Sequence, residues 1–133
     1  MKKITITFLL VSCFQITFGS HYPGADNDYD LVVVGATFSG IAAAINAAQY
    51  GHQVAIVEGH QQIGGLMTGG LSFTDFISFE ALGGTFRDYM NRVEEYYINK
   101  YGKNSPQVKD CHRGIHAEPH VTLQIFQEMI EEH

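Results

Sequence analysis

Lys2 and Lys3 precede an apolar run over residues 4–18 that only Thr, Ser, Cys and Gln interrupt, and small Gly19 and Ser20 close it. A basic start, a short apolar middle and small closing residues have the form of a secretory signal peptide over residues 1–20. The run is too short and too broken for a comfortable membrane span. Residues 21–28 (HYPGADND) follow as a polar linker. Residues 29–34 (YDLVVV) then end in a β-branched run stopped by Gly35, which predicts a strand buried on both faces, as a parallel sheet requires. Alanine-rich residues 40–50 predict a helix with Gly51 as its stop, and residues 53–57 (QVAIV) a second strand ending at Glu58. Strand, tight turn, helix and strand in this span make a βαβ unit with a right-handed crossover.

Beyond Glu58 the pattern loosens. Residues 60–79 are rich in Gly, Thr and Ser, yet Ile63, Leu66, Met67, Leu71 and Phe73 give the stretch something to bury. It reads as extended loop, not linker. Phe86, Met90, Val93 and Tyr97 recur at helical spacing, so an amphipathic helix is predicted over about residues 84–101. Residues 102–118 read as irregular. Pro119 suits the first turn of a last helix that carries Val121, Phe126, Met129 and Ile130. A dinucleotide fold needs a third parallel strand, and two strands alone make a marginal sheet. The expectation is therefore an incomplete α/β domain, with residues 29–133 as the amino-terminal part of a longer one.

Composition narrows the class of partner. With 133 residues, 45% hydrophobic and 17% charged, the chain has the make-up of one globular domain. Losing Lys2 and Lys3 with residues 1–20 would move the formal charge from −6 to −8. An acidic domain of this kind is poorly suited to nucleic acid or to an anionic membrane. The partner expected instead is a small-molecule substrate. Cys111 alone survives such a cut, so no internal disulfide can form. Leu10-Val11-Ser12-Cys13 resembles a bacterial lipobox, which leaves a lipid anchor at Cys13 as the alternative. Residues 14–18 stay apolar past that cysteine, favouring a cut near Gly19 or Ser20. No twin arginine precedes the run.

The chemical centre is Gly35-Ala36-Thr37-Phe38-Ser39-Gly40. In the dinucleotide pattern G-x-G-x-x-G the first glycine allows a tight turn, the second admits the pyrophosphate, and the third lets helix and strand pack closely. Gly35 and Gly40 fill the first and third places, and Thr37 stands at the second. Its Cβ would crowd a phosphate, while its hydroxyl offers a donor to one. A helix starting near Ser39 would aim N–H groups and a positive dipole end at the same place. Glu58 closes the next strand 23 positions after Gly35, where a carboxylate accepts hydrogen bonds from ribose hydroxyls and disfavours a 2′-phosphate.

These residues carry a resemblance. The stretch DYDLVVVGATFSGIAAAINAAQYGHQVAIVEGHQQIGGLMTGGLSFTD resembles the opening of FAD-dependent oxidoreductases of the glutathione-reductase-like superfamily, and more narrowly a widespread bacterial FAD-dependent family. LGGTFRDYMNRVEEYY and EPHVTLQIFQEMIEEH extend it. That family commonly has Thr at the second glycine place, followed by Pro where this chain has Phe38. The resemblance implies a Rossmann-like FAD-binding βαβ unit with helical additions and FAD as cofactor. It implies that Gly35, Thr37, Ser39 and Gly40 surround the pyrophosphate and that Glu58 holds the adenosine ribose. Gly64 and Gly65 would bring backbone N–H groups near the phosphates, with Leu66, Met67 and Thr68 running towards the isoalloxazine. Thr74 and Asp75 would lie towards the substrate side. The glycine pair favours FAD over NAD. The activity implied is flavin-mediated redox on an organic substrate by an exported protein, which this length of chain would not perform alone. An NAD-dependent dehydrogenase and a non-enzymatic exported module remain the alternatives.

Other groupings are weaker. His112, His116 and His120 recur every four residues, but Gly114 and Pro119 interrupt one continuous helix, so no metal site is expected. Cys111 beside His112 reads as packing, since sequence neighbours rarely point at one another. Tyr96, Tyr97 and Tyr101 read as helix-packing residues, and Arg87 and Arg92 as surface charges near Glu94 and Glu95. Export predicts a mature protein whose first residue lies just after Gly19 or Ser20. Amino-terminal sequencing of the protein from its native host checks this, and a chain still starting at Met1 would refute it.

Overall fold

The computed structural model describes residues 28–133. The expected signal peptide, Cys13 within it and linker residues 21–27 lie outside the described residues. Strand β1 (Leu31–Val34) and strand β2 (Val54–Val57) pair in parallel, Leu31 opposite Val54 and Val34 opposite Val57. Helix α1 (Phe38–Gln49) connects them and starts two residues earlier than the alanine run suggests. Below the strands, the Asp30 carboxylate accepts from the Gln53 amide at 2.8 Å, and the amides of Asp30 and Leu31 donate to the Gln53 carbonyl.

The strands are not buried on both faces as their composition predicts. Val33 faces α1, but Val32 is 51% exposed and Val34 83% exposed. Successive side chains of a strand point to opposite faces, and α1 covers one of them through Ile41, Ala44 and Ile45. Among the described residues the sheet has two strands. A β-branched run is suited to cover on both sides, but cover requires a second layer.

After β2 the chain makes single 3₁₀ turns at Gly65–Met67 and Phe79–Ala81, then α2 (Gly84–Tyr101), α3 (Pro106–Asp110) and α4 (Pro119–Glu131). The apolar stripes of α2 and α4 face each other and α1. Ile41, Tyr89, Val93, Val121, Ile125 and Phe126 lie at the centre of the core, each at most 1% exposed. Tyr89 keeps its phenol satisfied there by sharing a 2.8 Å hydrogen bond with the Thr122 hydroxyl, and burial pushes its pKa up. Helix α3 lies in the stretch expected to be irregular. Its signal is local: Ser105 caps it by accepting from the Val108 amide at 3.3 Å, and Pro106 opens its first turn.

Arg87 and Arg92 are not partnered by Glu94 and Glu95. Arg92 meets Asp88 one turn earlier at 3.1 Å and reaches Glu132 at 2.5 and 2.7 Å, tying α2 to the end of α4. Residues four apart share a helix face, which selects Asp88. Arg87 turns its guanidinium onto the carbonyls of Phe79 and Leu82 and so holds the 3₁₀ turn before α2. The tyrosines do pack. Tyr97 is buried, donates to Glu118 at 2.6 Å and stacks on Tyr101.

The connection into α4 turns on His112, Arg113 and Gly114, all with positive φ (48°, 60° and 83°). Two non-glycine residues in that region cost energy that surrounding contacts must offset. The turn sets Gly114 so close to α2 that a Cβ there would overlap the Met90 carbonyl. Gly114→Ala should therefore destabilise the protein by about 3 kcal/mol or more. Urea denaturation checks this, and a variant as stable as the parent would mean that α2 and the turn separate freely.

Candidate dinucleotide site

Gly35 leaves β1 with φ at +97°, a conformation in which glycine meets no Cβ penalty. Its amide still donates to the Val57 carbonyl at 2.8 Å, so the chain turns while bound to β2. Ala36, 1% exposed, then gathers three segments at once. Its amide donates to Glu58 Oε2 at 2.8 Å, and its carbonyl accepts from the Gly64 amide at 2.6 Å. One alanine thus fixes the end of β2 and the glycine pair against the turn out of β1.

Thr37 is the N-cap of α1, with Oγ1 accepting from the Gly40 amide at a long 3.4 Å. Its side chain is exposed and its methyl leans towards Gly65, where a Cβ would lie 3.2 Å away. A hydroxyl accepting at one lone pair still carries a proton to donate. Ser39 is exposed in the first turn of α1, where N–H groups lack intrahelical acceptors and the helix dipole is positive. Gly40 has the packing task its position suggests: a Cβ there would overlap the Gly35 carbonyl and press on Val33.

Glu58 uses both oxygens. Besides Ala36, it accepts from the His60 amide at 2.9 Å through Oε1. The His60 amide, followed by that of Ala36, holds its carboxyl below the usual carboxylate range. A carboxylate offers about four lone-pair positions, so two remain for further donors.

The glycine pair divides its roles. Gly64 is buried, its amide is taken by Ala36, and a Cβ would overlap Thr68 and come within 3.0 Å of the Phe126 ring. The expectation that both glycines turn their amides to a phosphate does not hold for Gly64. Gly65 is exposed beside Thr37. Leu66 stands outwards, 75% exposed, while Met67 packs against the core. Thr68 is 4% exposed, and its hydroxyl reaches the carbonyls of Ile63 at 2.5 Å and Gly65 at 3.3 Å. Its hydroxyl is thus occupied inside the turn instead of facing outwards. Thr74 and Asp75 lie on the following coil, Thr74 half-buried and Asp75 exposed.

Phe38 is the residue whose role the sequence concealed. It contacts Phe126 nearly parallel (centroids 5.3 Å apart, 19° between planes), Phe86 edge-on at 5.5 Å and Tyr89 at 5.8 Å. The hint was the apolar spacing on α2 and α4, which needs a hydrophobic partner on α1.

The remaining groups belong elsewhere. His112 and His116 stack on each other at 5.4 Å and pack at a tilt against Phe79 and Phe73, and no set of three potential ligands is placed for a metal among the described residues. Cys111 is 3% exposed, donates to the Val108 carbonyl and has its pKa raised by burial, the state of a packed thiol. A cavity of about 540 Å³ lies between α1, β2 and the end of α4, lined by Ala44, Ile45, Val54, Ile56 and Ile130 among others. It touches none of the residues of the glycine turns. We place the site at the turns because convergent amides, a helix terminus and a carboxylate meet there, whereas the cavity offers mainly apolar wall. No described helix is long and apolar enough to cross a membrane.

Comparison with known proteins identifies a family. Soluble pyridine nucleotide transhydrogenases from Hahella chejuensis and Chromohalobacter salexigens are 48% and 50% identical to the chain over 44 residues. Those residues are 33% of this chain and 10% of each relative, so the match spans a tenth of the relatives' length. No solved structure matches. The family described as FAD dependent oxidoreductase matches residues 30–133, from the foot of β1 past the end of α4. The chain, a Rossmann-like βαβ unit with helical additions, belongs to that FAD-dependent family.

Proposed function

We propose that this chain holds the ADP half of FAD within an exported oxidoreductase that acts on a small organic substrate. The observation that carries the reading is the Ala36–Glu58 contact, which sets a carboxylate beside the helix-terminal turn. A diphosphate needs donors, and the start of α1 offers them with the Thr37 hydroxyl. Ribose needs an acceptor for its hydroxyls, and Glu58 keeps lone pairs for them beyond those used by Ala36 and His60. The fit is also steric: the close packing at Gly40 brings the start of α1 down onto the strand end, where a side chain would hold it away.

In this reading Gly35, Thr37, Ser39, Gly40 and Gly65 line the diphosphate and Glu58 binds the adenosine ribose. Gly64 and Thr68 shape the second turn from within, Met67 anchors it to the core, and exposed Leu66 runs towards the flavin ring. Bound FAD would supply the redox chemistry, while the protein supplies binding, orientation and electrostatics. A negative Glu58 also opposes a 2′-phosphate, which favours FAD over NADP. The basic-then-apolar start supports export and uptake of the cofactor outside the cytoplasm, with lipidation at Cys13 as the alternative anchor. Pyridine nucleotide transhydrogenation is the work of the relatives, and a match over 44 residues does not extend it to this chain.

Glu58→Ala should weaken ADP and FAD binding by about tenfold, through the loss of a charged hydrogen-bond partner. Calorimetric titration of the full chain measures it, and unchanged affinity would remove Glu58 from the site. Glu58 also predicts a pH response. Because its folded-state pKa is lowered, its hold on the turn is complete above its unfolded-state pKa and is lost as the pH falls through the folded value. The amide resonances of Ala36 and His60 should titrate together in that acid range and stop doing so in Glu58→Gln.

A further inference from the structure

The two turns assigned to the diphosphate are joined directly by a parallel bridge between Thr37 and Gly64, which includes the bond from the Gly64 amide to the Ala36 carbonyl. That bond sets their spacing. It does not by itself fix how far either turn stands from the helices behind it. One ring does meet both. Phe126, fully buried on α4, stacks under Phe38 of the first turn, and its Cδ2 lies 3.0 Å from where a Cβ of Gly64 would stand in the second.

Resting on the function proposed above, we propose that Phe126 is a positioning residue for the diphosphate, setting the height of both turns through a single aromatic plane. The ring is itself held. Tyr89 packs on it at 5.2 Å, and Tyr89 is fixed by its hydrogen bond to Thr122, one turn before Phe126 on the same helix. Phe38 gains a second face from Phe86. A phenyl ring has a rigid shape and close-packed neighbours, so a shift of its plane is transmitted to the atoms resting on it. The ring touches Phe38, two residues after Ala36, and Gly64 itself, so its loss loosens both turns at once. Gly64 is then a glycine because its φ of +98° and the room that Phe126 and Thr68 take leave no place for a side chain.

The test compares ligands that differ only in reaching these turns. Phe126→Leu keeps apolar volume but removes the flat ring. Titrating the full chain with ADP and with adenosine should show ADP affinity falling about tenfold, the equivalent of one charge-assisted hydrogen bond. Adenosine, held through Glu58, should change less than about twofold, well under one such bond. Without any ligand, the amide resonances of Thr37, Ser39 and Gly65 should shift together. Tyr97→Phe, about 12 Å further along α2 from Tyr89, serves as the reference and should move none of these. Phe38→Leu, at a half-buried position, removes the same stack from the other side and should reproduce the ADP-selective loss, so the test stands even if Phe126→Leu fails to fold. Equal losses for ADP and adenosine, or unchanged ADP affinity in Phe38→Leu, would overturn the positioning role. Parent protein that binds neither ADP nor FAD would instead overturn the function on which it rests.

Discussion

A carboxylate that accepts a backbone amide from the neighbouring strand's turn is the contact around which this fold is arranged. Parallel pairing brings the ends of β1 and β2 to the same edge, so Glu58 and Ala36 arrive side by side although 22 positions separate them. A charged acceptor makes a shorter and stronger bond to an N–H than a neutral one does. The Gly35 amide on the Val57 carbonyl adds a second tie, and the Gly64 amide on the Ala36 carbonyl a third. What the nucleotide would meet is therefore a turn already fixed by three hydrogen bonds that end within two residues. Preorganised donors need no reordering when a ligand arrives, and less ordering entropy opposes binding.

Two apparent faults in the nucleotide pattern are explained by the same packing. Threonine in place of the middle glycine gives α1 a side-chain cap, which a glycine cannot provide. Phenylalanine after it gives the first turn of α1 an apolar anchor among Phe86, Tyr89 and Phe126. The turn is thus gripped by the carboxylate from the sheet side and by aromatic rings from the helical side. A looser anchor would leave the start of α1 free to rock on the strand ends, because only four residues of each strand are paired.

The helical half serves the same end. Tyr89 and Thr122 satisfy each other's hydroxyls inside the core, which lets a tyrosine stand where the aromatic cluster needs a ring. The tight turn at His112, Arg113 and Gly114 brings α4 back against α2, and Arg92 ties the far end of α4 through Glu132. Since Phe126 lies between these two fastenings, the ring is held at a defined height above the glycine turns.

Much of the local structure was legible in the sequence. The βαβ order, α2 and α4 follow from β-branched runs, apolar spacing, and glycine and proline signals, because these record short-range preferences that each segment has alone. That Gly35, Gly40 and Glu58 would meet at the turn out of β1 was legible too, since strand, turn and helix demand those types at those intervals. Three matters were decided only by tertiary structure. Gly64 spends its amide on Ala36 and lies against Phe126, Thr68 turns its hydroxyl inwards, and Phe38 is a core residue. The exposure of Val32 and Val34 belongs with them, because a residue type reports what a strand can bury but not which layer is there to bury it. The sequence by itself determined the βαβ order, α2 and α4, and the turn at which the nucleotide pattern lies. Which atoms of that turn stay free was decided by contacts that no local pattern encodes: the Gly64 amide on the Ala36 carbonyl, and Phe126 of α4 against Phe38 of α1.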